Sequence, residues 1–252
     1  MTLSPRSIAL RYLRRRHEVG QRRLVVRELD RAQDHFIEPA KLPGGYGAGA
    51  NERVVEIPWV LARRPTGRVL DAGSSLNHAE YLDRLRPVVD ELQIATLTFE
   101  GAAYPELGIS YVYGDLRELP YRDGYFDTVI SISTLEHVGM DNTAYGGSSS
   151  RADDPARETD QAVAELARVL RGGGRLLFSV PYGKREDHGW FRQLDRADVE
   201  QLVAAARPRE VEISVYRALD SGWQLSDLDR AADARYRAGF GAEAVACIDL
   251  AC

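Results

Sequence analysis

Three short stretches of the 252-residue chain hold residues whose types and spacing could do chemistry. The first is Asp71-Ala-Gly73-Ser74-Ser75-Leu-Asn77: a carboxylate, a glycine that permits a tight turn, then small polar residues that let backbone approach a ligand closely. A dinucleotide fingerprint needs G-x-G-x-x-G at such a turn, and only Gly73 of those glycines is present. The second stretch is Gly114-Asp115-Leu116. Carboxylates such as Asp71 and Asp115 accept hydrogen bonds and suit ligand hydroxyls or amines. The third runs Ser131-Ile-Ser133-Thr134-Leu-Glu136-His137-Val-Gly139-Met-Asp141-Asn142. With an ordinary pKa of about 6.5, His137 is the general base of that set, and Glu136 either orients it or contacts a ligand. Glu136, His137, Asp141 and Asn142 are also donors of the kind magnesium takes. Adjacent donors in one loop do not make a site, so no metal is expected.

Ligands of an open α/β sheet lie beyond the carboxyl ends of its strands, and each of these stretches follows a short apolar run. Candidate strands are 68–73, 94–99, 109–114, 126–133 and 175–180. Between the last two, ETDQAVAELARVLRGGG carries Val163, Leu166, Ala167, Val169 and Leu170 as one helical stripe, with Gly172 as its expected cap. Strand–helix alternation argues a parallel sheet with helices on both faces. Later, 210–219 and 244–251 read as two strands forming an antiparallel edge, joined by a connection that holds Trp223, Asp227, Asp229 and Tyr236.

The preface differs. Residues 5–37 predict two short helices joined near Gly20, 42–51 a Gly-rich loop, and ERVVEIPWVLARR a helix ending before Pro65. The expected organisation is a helical N-terminal cap over 1–60 and an α/β domain over 61–252. The polar stretch 141–160 lacks periodicity and is expected to be a substrate lid beside His137. The turn at Tyr182, followed by Lys184, Arg185, His188 and Trp190, could meet a polar or anionic acceptor.

Hydrophobic residues make up 44% of the chain and charged ones 28%, with a net charge of −5, which argues against a general polyanion binder. Residues 1–41 hold ten Arg or Lys against five acids: a solvated helix face or a docking arm. Cys247 and Cys252 offer neither a disulfide framework nor a zinc pattern. No apolar run reaches the ~20 residues of a membrane span, so a cytoplasmic protein is expected.

RVLDAGSSLN, GDLRELPYRDGYFDTVISISTLEHVG and LARVLRGGGRLLFSVPYG, in that order, resemble the class I S-adenosylmethionine-dependent methyltransferases over roughly 65–185. The resemblance implies a Rossmann-like, mostly parallel sheet with an antiparallel final strand. It implies S-adenosylmethionine as cofactor and S-adenosylhomocysteine as product. It places Asp71, Gly73, Ser74, Ser75 and Asn77 at the amino-acid end of the cofactor, although the family shows glycines where Ser75 and Asn77 stand. Glu100 falls on the ribose, Asp115 with Leu116 on the adenine, and Ser133 in the same site, with 131–142 facing the methyl group.

The expected reaction is O-methylation of a polar small molecule, a saccharide or other hydroxyl, with His137 as base and Asp141, Asn142, Tyr182 and His188 on the acceptor. STLEHVG stands where nucleic-acid amino methyltransferases carry Asn or Asp, two prolines and an aromatic, so no nucleic acid is expected. STLEHVGMDN resembles bacterial methyltransferases found with surface-glycan synthesis. Two other readings stay open. One is aminopropyl transfer to a polyamine met by Asp141, Asp153 and Asp154. The other is a non-catalytic interaction protein that kept the fold. Self-association through the N-terminal helices is the assembly the sequence offers.

Overall fold

The computed structural model describes residues 19–29, 33–37, 42–99, 101–147 and 149–252. In chain order the elements are α1 (19–29), α2 (Arg53–Ala62), β1 (Arg68–Ala72), α3 (Ala79–Leu85), β2 (Glu91–Thr96), β3 (Ile109–Tyr113), β4 (Phe126–Ile132), α4 (Pro155–Val169) and β5 (Leu170–Pro181). A two-stranded ribbon, β6 (Glu186–Asp187) with β7 (Arg192–Gln193), leads to α5 (Arg196–Ala206), whose start is fixed by a capping box between Asp195 and Asp198. Then come β8 (Glu210–Leu219), β9 (Gly222–Ser226), the ribbon β10 (Tyr236–Arg237) with β11 (Gly241–Ala242), and β12 (Ala244–Ala251).

Eight strands form one sheet in the order β3-β2-β1-β4-β5-β12-β8-β9. Pairings among β1 to β5 are parallel, and β12 runs antiparallel to both β5 and β8. Because strand residues alternate between faces, Val69, Ile94, Ile130 and Leu177 join one core with α2 and α3, while Leu70, Ala95, Val129 and Leu176 join the other with α4 and α5. The expected antiparallel pair is therefore present, but β12 is lodged inside the sheet rather than at its edge, and β9 supplies the edge. β9 lies inside the expected connection: it is only five residues long, and Trp223 and Leu225 are its two large apolar side chains, too short a run to mark a strand locally.

The second of the two expected N-terminal helices is described from residue 19, with Gly20 in its first turn, and the first lies outside the described residues. Two local boundaries differ from expectation. The helix α4 ends at Val169, with Leu170 as its cap in extended conformation, rather than at Gly172. Leu170 is buried and pairs with Phe126, so the chain passes from helix to sheet without a loop. The aperiodic stretch is shorter than 141–160, because Asp154 caps α4 through the Arg157 backbone N–H and Pro155 occupies its first turn.

Helix α2 contains Pro58 in its interior, where a proline ordinarily leaves the carbonyl four residues earlier unpaired. That carbonyl belongs to Val54, and the buried Tyr46 hydroxyl donates to it at 2.6 Å. Tyr46 comes from the Gly-rich loop, which is itself bound to β9 by the Trp223 backbone N–H to the Tyr46 carbonyl and by Trp223 Nε1 to the Ala50 carbonyl. Tyr46→Phe should therefore cost about 1–3 kcal/mol in denaturant unfolding, the penalty of a buried unpaired acceptor. The same change in a Pro58→Ala background should cost less, since removing the proline restores a backbone N–H for the Val54 carbonyl; equal costs in the two backgrounds would refute the coupling.

Candidate functional site

The chain reverses its winding between β1 and β4, and a cleft of about 850 Å³ opens beyond the carboxyl ends of β1 to β4. Gly73, Ser74 and Ser75 line it after β1, Thr96 to Phe99 after β2, Asp115 to Arg117 after β3, and Ser133, Thr134 and His137 after β4. Arg53 from α2, His78, Asn142 and Tyr145 complete the wall. A ligand of nucleoside size fits this volume.

The turn after β1 explains its own composition. Asp71 is buried and accepts the Leu76 backbone N–H at 2.9 Å, which closes the turn from beneath instead of lining the cleft. A Cβ on Gly73, at φ +123°, would lie 2.0 Å from Thr134 Oγ1, so glycine is required where the turns after β1 and β4 meet. Ser75 Oγ donates to the Ile132 carbonyl at 2.7 Å. Asn77 donates to the Ala102 carbonyl and accepts from the Tyr111 hydroxyl. The two residues that replace glycine thus tie the turn to β4 and to the loop after β2. Ser74 stays in the cleft wall, with a buried Oγ that has no protein partner.

Asp115 accepts three N–H groups of Arg117, and this lowers its pKa below the usual carboxylate range. Arg117 also pairs with Glu158, which neutralises it and fixes it against α4. Leu116 is buried beside them. Glu100 lies outside the described residues.

Beyond β4 the backbone turns at Ser133, whose φ of +37° is unusual for a non-glycine residue. Ser133 Oγ donates to the buried Glu56 carboxylate at 2.5 Å, as does Ser179 Oγ at 2.8 Å, and Arg53 Nη1 donates to its other oxygen at 2.6 Å. Burial lifts Glu52 to about 7, with the Glu56 charge adding to it, and burial likewise pushes Glu136 well above the carboxylate range. Glu136 faces this group rather than the cleft, and its Oε2 has no hydrogen-bond partner.

His137 is about 16% exposed, and its Nε2 lies 3.9 Å from Glu136 Oε1. Its Nδ1 lies 2.8 Å from the Trp190 carbonyl. A carbonyl can only accept, so Nδ1 carries the ring proton and Nε2 presents a lone pair. Trp190 and Tyr145 pack on the ring at 5.1 and 5.2 Å. Of the expected acceptor residues, Asn142 reaches the cleft wall but turns its amide to the His137 and Met140 carbonyls. Asp141 holds Thr143. Tyr182 is buried and donates to the Leu228 carbonyl, and His188 stacks on Phe191 at 4.4 Å; neither lines the cleft. Among the described residues there is no group of three or more His, Cys, Asp or Glu able to hold a metal, and no helix long and apolar enough to cross a membrane. Sequence reasoning missed Arg53, His78, Arg117 and Tyr145. His78 sits directly after the first motif and was within reach, whereas Arg53 lies on a separate helix with no local signal.

A doubly wound sheet with its cleft at the β1/β4 reversal defines a Rossmann-like architecture, and comparison with known proteins specifies which. Residues 72–178 match the family model described as a methyltransferase domain. A Mycolicibacterium smegmatis protein named "Probable S-adenosylmethionine-dependent methyltransferase" is 29% identical over 178 residues, covering 67% of this chain and 62% of its own length. A fatty-acid O-methyltransferase of the same organism is 28% identical over 130 residues, covering 52% of this chain and 40% of its own. The chain thus spans less than two thirds of either relative. Among solved structures, a Thermotoga maritima S-adenosylmethionine-dependent methyltransferase superposes with a TM-score of 0.52 at 16% identity, over 91% of this chain and 98% of that one. Residues 72–178 are thus similar to a methyltransferase domain, and the relatives include one named an S-adenosylmethionine-dependent methyltransferase.

Burial holds both His78 and His137 at about 4, against 6.5 for a free imidazole. The unfolded chain therefore binds these protons at a higher pH than the folded one does. Their contribution is complete above about pH 6.5 and is lost as pH falls towards 4. His137→Gln should remove on the order of 2 kcal/mol of this acid sensitivity. Thermal melts at pH 7 and pH 4.5 measure it, and an unaltered pH dependence would contradict the assignment.

Proposed function

We propose that the protein transfers a methyl group from S-adenosylmethionine to a hydroxyl of a polar small molecule, a saccharide being the favoured class. The observation that carries the reading is the tautomer of His137. With Nδ1–H committed to Trp190, Nε2 is the atom able to take a proton from an acceptor in the cleft.

The residues present suit the cofactor. The cleft, at about 850 Å³, has the volume for a nucleoside with an amino-acid tail, and Ser74 Oγ is a buried polar atom without a protein partner in its wall. Arg53, on the α2 side, gives one N–H to Glu56 and keeps the rest of its fork for a carboxylate. Asp115, across the cleft, suits the adenine end. S-adenosylmethionine supplies a methyl group already activated on a sulfonium, so the protein's task is alignment and proton removal. His137 would take the proton of the acceptor hydroxyl through Nε2 as that oxygen is methylated. Glu136 Oε1 lies 3.9 Å from that nitrogen, and burial favours the neutral form of its carboxyl group. Trp190, about one third exposed beside His137, offers a flat apolar face to an acceptor ring. One relative is named an O-methyltransferase, which supports oxygen as the accepting atom.

His137→Ala should lower kcat by roughly 10²- to 10⁴-fold and leave S-adenosylhomocysteine affinity within about twofold. Because His137 is held near 4, the acid limb of the wild-type rate profile should fall there, with no inflection near 6.5. Wild-type turnover by the variant would end the base assignment, and failure of calorimetry to detect S-adenosylhomocysteine binding would end the cofactor reading.

A further inference from the structure

His78 lines the cleft next to the Gly73–Ser75 turn, and nothing in the motifs above gives it a task. Its Nδ1 lies 2.7 Å from Arg22 Nη1 on α1. A guanidinium has N–H donors and no acceptor, so Nδ1 must be the accepting atom and the ring proton must sit on Nε2. A second ring proton would set two cations against each other; burial first, and then Arg22, keep the ring neutral down to about pH 4. Tyr81 crosses the imidazole edge-on at 5.6 Å and steadies its plane. His78 is thereby a neutral donor with a fixed tautomer. That is the reverse of His137, whose Nδ1 is protonated and whose Nε2 accepts.

The two ends of the cleft differ accordingly. Towards α2 and the turn after β1 lie the His78 N–H, the open part of the Arg53 fork and the unpartnered Ser74 hydroxyl. Beyond β3 lies the Asp115 carboxylate. A ligand with a carboxylate at one end and an amine-bearing base at the other fits in one direction only.

We propose that His78, held in its Nε2–H form by Arg22, donates a hydrogen bond to the carboxylate at the amino-acid end of the bound cofactor, alongside Arg53. The inference rests on the S-adenosylmethionine reading above. It makes α1, which precedes the family-matched stretch, a contributor to the cofactor pocket.

The test is calorimetric titration of wild type, His78→Ala, His78→Gln and Arg22→Ala with S-adenosylhomocysteine and with 5′-methylthioadenosine, which lacks the amino-acid group. His78→Ala should lose roughly ten- to a hundredfold in S-adenosylhomocysteine affinity, the range for a hydrogen bond to a charged group, and keep its methylthioadenosine affinity. Gln, which retains an N–H, should recover most of the loss. Arg22→Ala should lose less than His78→Ala, and nitrogen-15 spectra of its imidazole should show that Nδ1 is no longer uniformly the unprotonated nitrogen. Equal losses for both ligands, or no loss for either, would overturn the proposal; the methylthioadenosine arm reports whether each variant still folds its cleft. Wild type binding neither ligand would instead remove the cofactor reading on which the proposal stands.

Discussion

One buried carboxylate holds the functional end of the sheet together. Glu56 is fully enclosed on α2, and an enclosed charge survives only when its oxygens are satisfied. Its partners are the Ser133 and Ser179 hydroxyls, at the carboxyl ends of β4 and β5, and the Arg53 guanidinium in the cleft wall. A helix that precedes the family-matched stretch is therefore fastened to the strand ends from which the His137 turn departs. The left-handed backbone at Ser133 is held by the same contact, and Thr134, one residue on, is pressed against Gly73. The turns after β1 and β4 are thus set relative to each other by α2 and not only by the sheet.

Much of the fold was legible because it depends on local pattern. The five parallel strands, the long helix α4 and the strands at 210–219 and 244–251 all follow from apolar runs and periodicity, and they formed within a few residues of expectation. What escaped had causes outside the local window. The end of α4 is set by pairing of Leu170 with Phe126, which overrides the glycines that follow. Helix α2 keeps Pro58 in its interior because a tyrosine from the preceding loop supplies the missing hydrogen bond. The five residues of β9 become a strand only when β8 is beside them.

The candidate site divides in the same way. The turns after β1, β3 and β4 were readable as motifs, and Gly73, Ser74, Ser75, Asp115, Leu116, Ser133, His137 and Asn142 all line one cleft. The side chains on either side of those turns were not readable, because a linear motif does not distinguish a group that faces a ligand from one that holds the turn. Asp71 and Asn77 are of the second kind, and so are Asp141 and Tyr182. Residues that reach the cleft from other elements, Arg53 and Tyr145 among them, carry no motif at all. The serine and asparagine that replace the usual glycines have become ties between the turn and its neighbours, so the altered motif is a differently braced one.

The position of β12 bears on the order in which the chain can assemble. Residues 244–251 are made after β8 and β9, yet they lie between β5 and β8 in the sheet. During synthesis, β5 on one side and the β8–β9 hairpin on the other must each wait with an open edge until that strand emerges to join them. Contacts so distant in sequence form slowly, and open strand edges are where chains pair with the wrong partner. Residues 244–251 are thus the strand that joins the parallel part of the sheet to the β8–β9 hairpin, and the sheet is continuous only once they are in place.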